Sequence, residues 1–121
     1  MKKQQHYNAG LYCRLSVDDG NFGGSVSIET QKILLEQYCK DHSITSYTFY
    51  CDDGCSGTNF NRPSFMKMIE DINSGKINLV IVKDLSRFGR NYVETGMYVQ
   101  QFTERNVRFI AADDSYDSLT N

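Results

Sequence analysis

Four short apolar runs, separated by stretches of helical spacing, constrain this chain more than any other feature. Leu79-Val80-Ile81-Val82 is the clearest of them and reads as a strand buried on both faces. Ala9 to Leu15 is a second, interrupted only by Arg14. Ser46 to Cys51, rich in aromatic residues, and Val107 to Ala112 read as two more strands. Between them lie three helical patterns. Ile28 to Lys40 carries Ile28, Leu35, Tyr38 and Cys39 on one side, with Ser27 as its N-cap. A second helix starts at Pro63, repeats Phe65, Met68, Ile69 and Ile72, and stops at Asn73-Ser74-Gly75. A third, Tyr92 to Glu104, places Tyr92, Gly96, Val99 and Phe102 together. Strands alternating with helices imply right-handed crossovers. The expected fold is therefore α/β: three layers, a mostly parallel four- or five-stranded sheet flanked by helices.

The chain has 121 residues, 40% of them hydrophobic, which suits one domain with one core. Its net charge of −2 is unlike that of a free-standing DNA binder, so the domain alone should hold DNA weakly. No run approaches the ~20 apolar residues of a membrane span. The basic start lacks the apolar stretch of a signal peptide. Reduced thiols in a cytoplasmic protein are the simplest reading of the four cysteines. Cys51 and Cys55 lack a second Cys or His pair at ligand spacing, so a metal site is not expected there. The doublets Asp52-Asp53 and Asp113-Asp114 leave a metal site slightly open.

In open parallel sheets, sites gather at the carboxyl ends of strands. Arg14 and Ser16 stand at the end of the first strand, two residues apart and hence on one side if the chain stays extended. After the second strand come Asp53, Ser56 and Arg62, and after the third come Ser86, Arg87 and Arg90. Arg87 and Arg90 would share a face if their segment is helical. Four of the six arginines fall in these three segments. Guanidinium groups hold phosphate oxygens through paired hydrogen bonds and stay charged. They also stabilise the charge that grows on a phosphodiester under attack by a hydroxyl. Each signal has a plainer explanation: Arg14 paired with a carboxylate, Ser16 an ordinary loop residue, Arg87 and Arg90 a solvated helix face. His6 and His42 lie outside every motif and read as surface residues.

Taken together, the segments resemble a family. Tyr12-Cys13-Arg14-Leu15-Ser16 resembles the Tyr-x-Arg-x-Ser signature of the serine recombinases, the resolvases, invertases and large transposon and phage integrases. Ser27 to Gln31 is similar to the family's Ser-x-x-x-Gln helix start. Asp53 to Gly57 with Asn61-Arg62-Pro63 is similar to its Asp-x-x-Ser-Gly loop and downstream Arg-Pro. Leu85 to Asn91 resembles its Leu-Ser/Asp-Arg-x-x-Arg segment. The resemblance implies that Ser16 is the nucleophile, forming a 5′-phosphoserine link and freeing a 3′-hydroxyl. It gives Arg14, Arg87 and Arg90 the phosphate, and Gln31, Asp53, Arg62, Ser56 and Ser86 supporting places. Ser86 stands where many small members have Asp, and the loop from Val17 to Val26 is longer than in small resolvases.

The resemblance further implies a bacterial, cytoplasmic enzyme that acts on DNA without cofactor and self-associates to dimers and tetramers. Residues 1–6 are expected to be a flexible segment and 7–121 the catalytic domain. Chain end at Asn121 falls where the family's dimerisation helix is expected, ahead of separate DNA-binding domains, so the chain reads as a fragment. Two other functions fit the same layout. A non-catalytic assembly domain predicts broken motifs, whereas Ser16, Arg14, Arg87 and Arg90 are all present. A flavodoxin-like module binding a small phosphate ligand needs a backbone-rich loop directly after the first strand.

Overall fold

Alternate residues of the first strand belong to different cores, and this period of two organises the whole molecule. The computed structural model describes residues 6–15, 27–54, 62–89 and 91–120. In chain order the elements are β1 (Asn8–Leu15), α1 (Ile28–Asp41), β2 (Ser46–Asp53), α2 (Pro63–Asn73), β3 (Leu79–Val82), α3 (Leu85–Phe88), α4 (Tyr92–Glu104), β4 (Arg108–Ala111) and β5 (Tyr116–Asp117). They build a five-stranded sheet in the order β2-β1-β3-β4-β5. β1 pairs in parallel with β2 and β3, and β3 with β4; only β5 runs antiparallel. The α/β, mostly parallel architecture expected from the apolar runs is the one observed.

Ala9, Leu11, Cys13, Leu79, Ile81 and Ile110 face α1 and pack with Leu35 and Cys39. Tyr12, Tyr50, Val80, Val82 and Phe109 face the other way, against Phe65, Met68 and Ile72 of α2, Phe88 of α3 and Phe102 of α4. Gly10 lies on this second face, where an added Cβ would stand 3.2 Å from the Tyr50 ring and 3.3 Å from the Met68 sulfur. A side chain there would need the Tyr50 ring and the Met68 sulfur to give by a few tenths of an ångström. The chain leaves β1 toward β2 on one side and returns across it to β3 on the other. That reversal of strand order lies between β1 and β3, where open sheets leave a crevice at the strand ends.

Helix boundaries follow local chemistry. Ser27 caps α1 by accepting from the Thr30 N–H at 3.2 Å. Pro63 opens α2, and Gly75 (φ +85°) closes it in a left-handed turn that few other residues would take. Asn91 caps α4 through the N–H groups of Val93 and Glu94. His6 and His42 are exposed, as expected. β2 extends past Cys51 because Asp52 and Asp53 continue the ladder opposite Arg14 and Leu15. The fifth strand is the short β5, and the Arg87 segment forms the single turn α3.

The apolar face of α4 needs correcting, and that of α1 gains a member. In α1, Leu35 and Cys39 are buried and Ile28 and Tyr38 pack beside them, as expected, with Gln31 buried as well. In α4, Tyr92 is 91% exposed and Gly96 is exposed; Phe102 is buried, and Tyr98 and Val99 pack beside it. Ten residues at ~100° each leave Tyr92 roughly 80° away from Phe102 around the helix, so the two cannot share one contact line. Among the described residues, no helix is long and apolar enough to cross a membrane.

Candidate active site

Parallel pairing brings the carboxyl ends of β1, β2 and β3 to one edge: Leu15 is opposite Asp53, and Tyr12 is opposite Val82. Three of the predicted residues meet there. Arg14 is fully buried, Arg62 is 1% exposed and Arg87 is 6% exposed. Arg14 donates through Nε to the Arg87 carbonyl at 3.1 Å and through Nη2 to the Ser86 carbonyl at 2.7 Å. Arg62 donates through Nη2 to the Phe88 carbonyl and through Nη1 to the Arg87 carbonyl, the latter at 3.4 Å. The last carbonyls of a helix lack partners within it. Here two buried guanidiniums take that role for α3 and so fix the turn that carries Arg87. The idea of Arg87 on a solvated helix face does not survive its burial.

The other end of α3 is held by carboxylates. Asp84 accepts from the Arg87 N–H at 3.1 Å and the Ser86 hydroxyl at 2.6 Å. Asp114 accepts from the Leu85 N–H at 2.7 Å. Lys83 bridges Asp84 and Asp113 at 3.3 Å and 2.6 Å. Burial tends to raise the Asp84 pKa, but bonds from Ser86, the Arg87 N–H and Lys83 hold it below the usual carboxylate range. Ser86, exposed in place of the aspartate of small family members, therefore serves as a donor to Asp84.

Gln31 secures Arg14 from the opposite face of the sheet. Its Oε1 accepts from the Arg14 N–H at 3.2 Å, and its Nε2 donates to the Arg14 carbonyl at 3.0 Å. β3 has already ended opposite Tyr12, so the Gln31 carboxamide completes the ladder where no strand remains. That is the physical content of its place in the motif.

Not every expected residue joins this cluster. Asp53 is exposed at the end of β2. The helix imagined to align Arg87 with Arg90 stops at Phe88, because Gly89 is extended. Ser16, Ser56 and Arg90 lie outside the described residues. Asp52, by contrast, was read only as half of an acidic doublet. It is 4% exposed and accepts from the Tyr12 hydroxyl at 2.8 Å and the Ser64 and Phe65 N–H groups at 2.9 and 3.0 Å. A signal for it existed in the sequence: α2 begins at Pro63 behind an arginine that cannot cap it, so an outside acceptor was required. Among the described residues, no three His, Cys, Asp or Glu side chains group as metal ligands.

Comparison with known proteins decides the family. The family model described as "Resolvase, N terminal domain" matches residues 9–121. The chain belongs to the resolvase family. Within it, the fold is that of solved recombinase domains. The N-terminal catalytic domain of TP901-1 integrase superposes with a TM-score of 0.82 at 27% identity, covering 92% of this chain and 81% of that one. A resolvase family site-specific recombinase from Streptococcus pneumoniae gives 0.77 at 30% identity, covering 93% and 76%. A protein of Bacillus subtilis (strain 168) named "Putative DNA recombinase" is 28% identical over 106 residues, 88% of this chain. The chain spans only 20% of that protein's length. The likeness to serine recombinases read from the motifs is borne out, and this resolvase-family chain is a site-specific recombinase catalytic domain.

Proposed function

We propose that the domain cleaves and rejoins DNA through Ser16, and that it works as the catalytic part of a longer, cytoplasmic protein that assembles into dimers and tetramers on its recombination sites. In the cleavage step, the Ser16 hydroxyl oxygen forms a bond to the scissile phosphorus and loses its proton. The bond from phosphorus to the 3′ oxygen breaks, and that oxygen takes up a proton. One DNA end is left as a 5′-phosphoserine ester and the other as a free 3′-hydroxyl. Reversal by a 3′-hydroxyl from the partner duplex rejoins the strands. The ester conserves the bond energy, so no nucleotide or metal is called for.

The observation that carries this reading is the meeting of Arg14, Arg62 and Arg87 at the ends of β1 and β3. Ser16 follows Arg14 by two residues, which a chain spans in at most ~7 Å. Arg87 and Arg90 would face the phosphate oxygens, with Arg14 adding fixed charge while it holds the Ser86 and Arg87 carbonyls. Preset donors at developing negative charge are worth on the order of 10²–10³ in rate each. Gln31 and Arg62 would position these groups, and Ser56 and Asp53 would border the phosphate from the loop after β2.

The test uses the natural full-length protein and a duplex carrying its recombination site, nicked so that the cleaved strand diffuses away. A covalent protein–DNA adduct should accumulate and vanish in Ser16→Ala. Arg87→Ala should lower cleavage far more than DNA affinity. Full adduct yield in Ser16→Ala would overturn the nucleophile assignment.

A further inference from the structure

Asp52 occupies a place that none of the motifs assigns. Its carboxylate accepts from the first-turn N–H groups of α2, at Ser64 and Phe65. It also accepts from the Tyr12 hydroxyl at the far end of β1. Tyr12 in turn accepts from Arg62 Nη1 at 3.1 Å. Burial drives the Tyr12 pKa upward, Arg62 opposes that, and the bond to Asp52 adds to it, so the phenol keeps its proton. The direction of the chain of bonds is thereby fixed, from Arg62 to Tyr12 to Asp52.

This arrangement holds Arg62 twice. Its backbone is the N-cap of α2, whose first turn Asp52 anchors. Its guanidinium lies over the Tyr12 and Phe65 rings, at 5.4 and 5.1 Å, and is tied to Asp52 through the Tyr12 hydroxyl. The other end of the same guanidinium holds the Arg87 and Phe88 carbonyls. Asp52 is therefore connected, through two residues, to the backbone that aims Arg87.

We propose that Asp52 is a positioning residue of the recombination reaction, setting Arg87 through the Tyr12–Arg62 relay; the inference rests on the reading of Ser16 as nucleophile. The competing role is that of a helix cap alone. A cap would contribute stability without bearing on the chemical step. The relay, by contrast, transmits a small displacement to a group that must meet phosphate oxygens, and misplacement by ~1 Å costs as much as 10²-fold in rate.

Tyr12→Phe separates the two roles, since it breaks the relay and leaves both α2 bonds to Asp52 intact. In the full-length protein at saturating nicked-site DNA, single-turnover cleavage should fall about 10–100-fold for Tyr12→Phe, while DNA affinity stays within about twofold. Asp52→Asn should fall comparably, and the double variant should be no slower than the slower single, because both act through one relay. Wild-type cleavage by Tyr12→Phe, or losses that multiply in the double variant, would overturn the proposal. If Asp52→Asn fails to fold, Tyr12→Phe alone still decides it. Ser16→Ala is run alongside: an adduct in that variant sinks the nucleophile reading, whereas its loss with a wild-type Tyr12→Phe sinks only the relay.

Discussion

The two faces of the sheet are built from different chemistry, and the site grows out of only one. On the α1 side, the buried residues are aliphatic and thiol, Leu11, Cys13, Leu79, Ile81 and Ile110 against Leu35 and Cys39, and the rings of Tyr7, Tyr38, Tyr47 and Phe49 are only partly buried at the margin. On the other side aromatic rings dominate, with Phe88 meeting Phe65, Phe102 and Phe109 edge-on at centroid distances of 5.5, 6.0 and 4.9 Å. Ring faces attract cations and aliphatic groups do not, which lets a fully buried guanidinium adjoin the aromatic core. Arg62 takes up that possibility against Tyr12 and Phe65. The alternation of β1 sends Tyr12 and Arg14 to the aromatic side and Cys13 to the aliphatic side. Gln31 is the described side chain from α1 that reaches Arg14, and it does so through the Arg14 backbone.

The sharpest way to break this contrast is to remove the charge that the aromatic face supports. Arg62→Ala should destabilise the domain by about 3–5 kcal/mol in urea unfolding, because it takes the guanidinium donor from the Phe88 carbonyl and the Tyr12 hydroxyl and leaves a cavity against the Tyr12 and Phe65 rings. A loss under about 1 kcal/mol would mean that the rings and backbone hold the face without the guanidinium. On the aliphatic side, Leu35→Ala should cost a little less, about 3 kcal/mol, through the cavity it leaves. Its cleavage rate, measured well below the unfolding transition, should stay near wild type. A large rate loss in Leu35→Ala would show that the two faces are coupled more tightly than the Gln31 bridge suggests.

Much of this was legible in the sequence, for identifiable reasons. Leu79–Val82 has no reading other than a buried segment, and Ser27, Pro63 and Gly75 mark helix ends by local chemistry alone. Arg14, Arg62 and Arg87 were found because their segments follow strand ends that parallel pairing must bring together, and Gln31 because its helix start resembles that of the family. What escaped is non-local. The burial of Gln31 depends on where β3 stops, which no spacing in α1 reveals. Asp52 looked like an acidic doublet because its acceptor role is defined by Tyr12, forty residues away in the chain. The α3 turn is too short for periodicity to register, and it exists because Asp84 and Asp114 hold one end and two arginines the other. Tyr92 was misplaced because spacings of four, three and three residues fall short of three full turns at 3.6 residues per turn, so the line drifts around the helix.

The smallest expected effect distinguishes the two ends of α3. Its carboxyl end is held by guanidiniums, which keep their charge at any ordinary pH, whereas its amino end is held by Asp84, which titrates. Because the folded-state pKa of Asp84 is depressed, its contribution is present above the ordinary carboxylate value of about 3.9 and is lost as pH falls through the lower folded value. Ser86→Ala removes one of the donors responsible for that depression. At pH 7 the variant should lose about 0.5–1 kcal/mol, and its acid-side fall in stability should be smaller than that of wild type and complete at a higher pH. Leu35→Ala, with no titrating group involved, should lose the same amount across that pH range. If Ser86→Ala and wild type gave superimposable stability curves from neutral to acid pH, the Ser86–Asp84 bond would contribute nothing. The α3 turn would then be held at its amino end by the Arg87 and Leu85 N–H bonds to Asp84 and Asp114, and at its carboxyl end by the two arginines.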